Sequence, residues 1–313
     1  MTVLHPSPLP PALAQLRRTA VMGICNVTPD SFSDGGAHAT PAEALAHCAR
    51  MLEEGADLID VGGESTRPGA ARTPADEELR RVIPVIEALA AQGVPVSVDT
   101  MRASVAAAAV EAGAVIINDV SGAQADPAMA GVMAKTGVVA VLTHWRAPPD
   151  RMDQADRYAD VVAEVAQELE ESASAAVKAG VKPAAIVLDP GFGFSKSGYN
   201  NWPLLAGLDQ LAAIGFPLLV GASRKRFLQN ALADAPGLTE AGQSGRDAAT
   251  AAVTTASSLM GAWCVRVHAV AANVAAVRVA QAIRDARLAP GDGPFAPLRS
   301  NTSNQGVMRG MIA

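Results

Sequence analysis

Three groups of residues in this chain have types and spacings that suggest chemistry. Asp99, Asn118 and Asp189 each stand at the end of a short apolar run. Carboxylates and an amide above an apolar floor suit a flat heterocycle with donors and acceptors along its edge. An amino-pyrimidinone ring, for example, offers paired N–H donors that one carboxylate accepts bidentately. The second group is basic: Gly221-Ala222-Ser223-Arg224-Lys225-Arg226, with Arg266 and His268 further on. Glycine, a hydroxyl and clustered cations match a phosphate or pyrophosphate oxyanion. Arg266 lies inside an apolar run, where an unpaired charge is costly, so a merely solvated basic face explains it poorly. The third group is two polar loops, Asn26 to Gly36 and Gly62 to Gly69, with the composition of lids that close over a site and exclude water.

Residues of this kind work only if the fold brings them together. Eight apolar runs recur, each ending in a polar residue or glycine: into Asn26, Asp60, Asp99, Asn118, Thr143-His144, Asp189, Gly221 and His268. Continuous rather than alternating runs indicate strands covered on both faces, as in parallel sheets. Helical patterns lie between them. Leu79, Val82, Ile83, Ile86 and Leu89 keep the spacing of one apolar helix face. Thr40-Pro41-Ala42-Glu43 reads as an N-cap with a capping box; Thr73-Pro74 and Asp126-Pro127 look like the same device. Gly55, Gly93, Gly113, Gly137, Gly180 and Gly215 precede strands as helix stops.

Eight strand–helix units predict a single-domain α/β fold, a (β/α)8 TIM barrel, with an open doubly wound sheet as the alternative. The barrel is expected over residues 19–287, with flexible segments at 1–18 and 288–313. In such a barrel the polar strand ends face one pocket, here Asn26, Asp60, Asp99, Asn118, His144, Asp189 and His268. Any one of them taken alone is explained as a helix cap. Seven converging on one rim are not.

A net charge of −6 argues against nucleic acid as the main partner, while leaving room for a small anionic substrate. The three cysteines, Cys25, Cys48 and Cys264, form no CxxC pair, which fits buried thiols in a reducing compartment. The Pro-rich N-terminus lacks the order of a signal peptide, and no run is long enough to span a membrane. A cytoplasmic location is the expectation.

In order, NVTPDSFSDGG, DVGGESTRPGA, SVDT, IIND, LDPGFGFSK, GASRK and RVH resemble the dihydropteroate synthase family, over about residues 21 to 285. The two long motifs are highly specific. The resemblance implies a pterin-binding TIM barrel, a homodimer and a sulfonamide target. It implies the condensation of 6-hydroxymethyl-7,8-dihydropterin pyrophosphate with 4-aminobenzoate in folate synthesis, giving 7,8-dihydropteroate and pyrophosphate by an SN1-like route with Mg2+. By motif, Asp99, Asn118, Asp189 and Lys225 hold the pterin. Arg266, His268, Asn26 and Arg67 meet pyrophosphate, with Asn26 also helping to place Mg2+. Asp34 and Arg67 organise the closed site, and Phe32, Thr66, Pro68 and Ser223 border the aminobenzoate. Thr143 stands where the family often has Met, and Ala269 where an Asp commonly follows RVH. A corrinoid methyltransferase would not require the basic group, and a non-catalytic pterin-binding paralogue would have lost loop residues that are complete here.

Overall fold

The computed structural model describes residues 3–28, 40–64, 72–148, 151–196 and 198–288. Its strands are β1 (Ala20–Asn26), β2 (Leu58–Gly62), β3 (Val96–Asp99), β4 (Ile116–Asp119), β5 (Val139–Thr143), β6 (Ile186–Asp189), β7 (Leu219–Val220) and β8 (Cys264–Val267). All pair in parallel, in the order β6-β5-β4-β3-β2-β1-β8-β7. A bridge between Leu188 and Leu218, with Leu188 N–H donating to the Pro217 carbonyl, joins β6 to β7 and completes the ring. This is the expected (β/α)8 barrel.

The helices are α1 (Pro11–Ala14), α2 (Pro41–Glu53), α3 (Ala75–Ala91), α4 (Ala103–Glu111), α5 (Met129–Thr136) and α6 (Val161–Lys178). There follow α7 (Asn201–Ala206), α8 (Leu208–Ala212), α9 (Arg226–Ala231), α10 (Pro236–Glu240), α11 (Gln243–Leu259) and α12 (Val270–Leu288). Thr40 caps α2 through a reciprocal capping box with Glu43, as the sequence indicates. Thr73 does not repeat the device: Pro74 occupies the N-cap of α3, and the helix starts without a side-chain cap. Asp126 serves two elements instead, accepting from Ala128 N–H ahead of α5 and from Ala103 N–H at the start of α4. The six expected helix-stop glycines all have φ between +68° and +112°.

Two layers of apolar side chains alternate along each strand. In β5, Ala140 and Leu142 face the helices, whereas Val139 and Val141 face the barrel interior with Met22, Leu58, Ile116, Val187, Leu219 and Cys264. A strand's side chains switch face at every residue. The interior set therefore continues upward into Asn26, Asp60, Asp99, Asn118, Thr143, Asp189, Arg266 and His268.

Residues 3–18 depart from the expected flexible segment. Val3 and Leu13 are buried in the interior cluster with Trp263, and Ser7 N–H donates to the Ala184 carbonyl. A barrel has an apolar floor that water would otherwise reach, and this segment covers it. Leu13→Ala should therefore cost about 2–5 kcal/mol in chemical denaturation, the range for a buried leucine. A change below about 0.5 kcal/mol would return the segment to the flexible class.

Candidate active site

The alternation just described decides which polar residues meet. Asp60 lies in the middle of β2 rather than at its end, so it belongs to the barrel interior and not to the rim. Arg266, which points inward from β8, donates from Nε to Asp60 Oδ2 at 2.5 Å and from an Nη2 proton to Asp99 Oδ2 at 2.6 Å. Asn118 Nδ2 also donates to Asp60 Oδ2, at 3.2 Å. The acidic and basic groups are therefore interleaved here rather than separated. Arg266 sits inside the acidic group, where its charge has partners. A desolvated guanidinium is stable only with such compensation.

Above this layer stand the open groups. Asp189, at the end of β6, accepts from Gly191 N–H at 2.8 Å through Oδ1; a methyl group on Gly221 would lie 3.3 Å from its Oδ2. Gly62 likewise leaves space beside Asn26 Oδ1 and Asp99 Oδ2. Lys225 follows β7, and its Nζ lies 3.7 Å from the centroid of the Phe194 ring. Arg224 adopts φ +59°, an unfavourable backbone state for a non-glycine residue. Its guanidinium pairs with Asp247 at 2.6 Å, so the GASRK cluster supplies the site with Lys225 but not with Arg224. Ser223 Oγ bonds His268 Nδ1 at 2.9 Å and accepts from the His268 N–H at 3.2 Å. Ala269, in the position where an aspartate is common, leaves this serine to steady the imidazole.

Burial shifts these groups toward neutrality. Asp99 is pushed up to about 7, first by burial and then by the charges of Asp60, Glu78 and Asp119, against the Arg266 guanidinium. Burial raises Asp189 too, opposed by its bond from Gly191 and by Lys225. Lys225 is drawn down to about 8 by burial and by Arg266, while Asp189 and Asp99 act against the shift. Two carboxyls and an amine shifted in this way, gathered beyond the carboxyl ends of β3, β6 and β7, mark a place built to receive a polar ligand rather than a solvated rim.

His144 lies apart from this group. Its Nε2 bonds Glu168 and its Nδ1 meets Lys196, so, like Asp60, it departs from the expected rim and braces the site. Glu64, Glu78, Lys196, Glu168 and Arg146 were not legible as site supports. Glu64 accepts from the Arg72 guanidinium and from Thr73 N–H, and Arg102 bonds both Glu64 and Glu78. The signals available in sequence were the lysine ending the LDPGFGFSK motif and the glutamate of DVGGESTRPGA. Phe32, Asp34, Thr66, Arg67 and Pro68 lie outside the described residues.

Comparison with known proteins agrees with this geometry. The model of the family described as pterin binding enzyme matches residues 22–268. The chain is 53% identical over 260 residues to a dihydropteroate synthase of Mycobacterium leprae, covering 83% of this chain and 91% of that protein. Among solved structures, a Xanthomonas albilineans dihydropteroate synthase with 4-aminobenzoic acid superposes with a TM-score of 0.78 at 47% identity, over 85% of this chain and 93% of the other. A Yersinia pestis dihydropteroate synthase in complex with a sulfonamide drug gives 0.81 at 40% identity, over 90% and 99%. An acid-and-amide ring in the barrel mouth, a half-buried lysine beside it and this level of identity lead to one conclusion: the chain belongs to the dihydropteroate synthase family of pterin-binding enzymes.

Proposed function

We propose that this chain condenses 6-hydroxymethyl-7,8-dihydropterin pyrophosphate with 4-aminobenzoate, releasing pyrophosphate and forming 7,8-dihydropteroate. The observation that carries the reading is the convergence of Asp99, Asn118, Asp189 and Lys225 above an apolar barrel interior. The carboxylates accept the ring N–H donors of a pterin, and Lys225 donates to its acceptors. Arg266 keeps Asp99 aimed inward. A carboxylate beside a developing pterin methylene cation stabilises it electrostatically, and closure of the polar loops keeps water from capturing it. His268, steadied by Ser223, and the remaining Arg266 donors meet the pyrophosphate as its charge grows. Asp34 and Arg67 complete the closed site, and Phe32, Thr66, Pro68 and Ser223 border the aminobenzoate, the position sulfonamides occupy.

Among the described residues no three His, Cys, Asp or Glu side chains converge on a metal-sized site. Asn26 offers a single amide oxygen, which fits a Mg2+ held chiefly by water and substrate phosphates. There Mg2+ would take up part of the charge on the departing pyrophosphate. Exposed Val279 and Ile283 on α12, one turn apart, support a homodimer, which light scattering of the purified protein tests. Among the described residues no helix is long and apolar enough to cross a membrane, and the cytoplasm is the proposed location.

The test is direct. Purified protein, both substrates and Mg2+ should give dihydropteroate; folded protein without product overturns the proposal. A pH profile sharpens it. The pterin donors need Asp99 ionised, so kcat/KM should rise as pH passes about 7. Lys225 must keep its proton, so kcat/KM should fall above about 8. For stability, the raised Asp99 favours folding below its ordinary carboxylate range and loses that contribution as pH rises through about 7. The lowered Lys225 opposes folding below about 8 and ceases to do so only at its ordinary alkaline value. Between these values both groups are charged and ready to pair with a ligand. A kcat/KM flat from pH 5.5 to 9.5, a range spanning roughly 1.5 units beyond each value, contradicts these assignments.

A further inference from the structure

The loop after β6 is built around one buried ammonium. Beyond Asp189 the chain turns through Gly191, Gly193 and Ser195, with φ of +68°, +73° and +49°. A methyl group on Gly191 would lie 2.5 Å from the His144 carbonyl oxygen, so the turn packs directly on the end of β5. Lys196 is 2% exposed, and its Nζ donates to the Gly191 carbonyl at 3.2 Å, the Phe194 carbonyl at 3.1 Å and His144 Nδ1 at 2.9 Å. An ammonium has three protons, and here each has one acceptor. Because Nδ1 accepts, the proton of neutral His144 sits on Nε2, which donates to Glu168 Oε2 at 2.8 Å. Glu168 is held in turn by Arg146, whose guanidinium stacks 3.8 Å from the centroid of the Tyr158 ring. The loop is thereby tied through His144 to α6.

Its other face meets the site. Gly193 lies against the Lys225 stem, a methyl group there falling 3.0 Å from Cδ, and the Phe194 ring lies under Nζ. A ring face beside an ammonium attracts it and fills space that water would otherwise take. Loss of the Lys196 protons leaves two loop carbonyls and an imidazole nitrogen without this donor in a buried setting, which the loop can relieve only by shifting.

We propose that Lys196 is a positioning residue for the pterin site: by tying Gly191, Phe194 and His144 to one point, it holds the Phe194 ring against Lys225 and fixes where that ammonium points. Lys196 works from behind the loop, and the inference rests on Lys225 being a pterin ligand.

A double-mutant cycle on the full chain tests it. KM and kcat for both substrates are measured for Lys196→Met, Phe194→Leu and the pair. Each single variant should raise KM for the pterin pyrophosphate about tenfold, and the pair should be no worse than the more affected single. Effects that multiply in the pair, or a kcat loss with an unchanged pterin KM, overturn the proposal. Should Lys196→Met fold poorly, Phe194→Leu alone decides, because an unchanged pterin KM removes the group the anchor is said to place. An active Lys225→Ala would remove the pterin reading itself. A crippled Lys225→Ala beside an unaffected Lys196→Met removes only the anchor.

Discussion

Lys225→Ala is expected to lose about a thousandfold in kcat/KM, roughly 4 kcal/mol of transition-state stabilisation, while remaining folded. The expected loss is large because Lys225 is the cation of the GASRK motif that the structure delivers to the pocket. Arg224 is turned away to Asp247, and Arg226 is exposed at the start of α9. Without Lys225, Asp189 loses the largest of the charges that favour its ionised form, so two of the proposed pterin ligands are compromised at once. Folding should survive, since burial already disfavours the charged lysine and its removal relieves that cost. Turnover assays with a thermal melt check both halves. Near-parental kcat/KM would take Lys225 out of the site.

The second large effect is on stability. Arg266→Met should destabilise the protein by about 3–5 kcal/mol, because it leaves the fully buried Asp60 and the nearly buried Asp99 without their shared cation. Asp99 would then rise further, since Arg266 is the charge that opposes the effect of burial there. Adding Asp60→Asn removes one of the two stranded charges. The double variant should therefore recover more than about 1 kcal/mol of stability but little activity, because Asp99 stays misaligned. Urea denaturation of the two variants decides the point. An Arg266→Met protein as stable as its parent would mean that the ion pairs contribute nothing.

The comparison of these two residues also shows where sequence reasoning stops. GASRK and the arginine after it announce three cations in a row, and nothing in their order says which one enters the pocket. The left-handed Arg224 backbone and the carboxylate of Asp247, more than twenty positions away, make that choice. Arg266 was recognisable as a charge that needs a partner, but the partner is Asp60, across the β1 strand that lies between β8 and β2.

By itself the sequence determined the barrel, its eight strands, the helix stops and the identity of the polar residues at Asp99, Asn118, Asp189 and Lys225. Those features are local. Apolar runs, glycines forced to positive φ and capping residues express short-range backbone preferences that read directly from residue order. The tertiary structure alone decided depth and pairing. It placed Asp60 inside rather than on the rim, turned Arg266 into the acidic group, laid residues 3–18 over the barrel floor and threaded Lys196 behind the β6 loop. Each of these depends on which strands become neighbours when the sheet closes, and on the low-polarity interior that makes an unpaired charge or carbonyl costly. Closure joins residues far apart in the chain, and no local pattern records them.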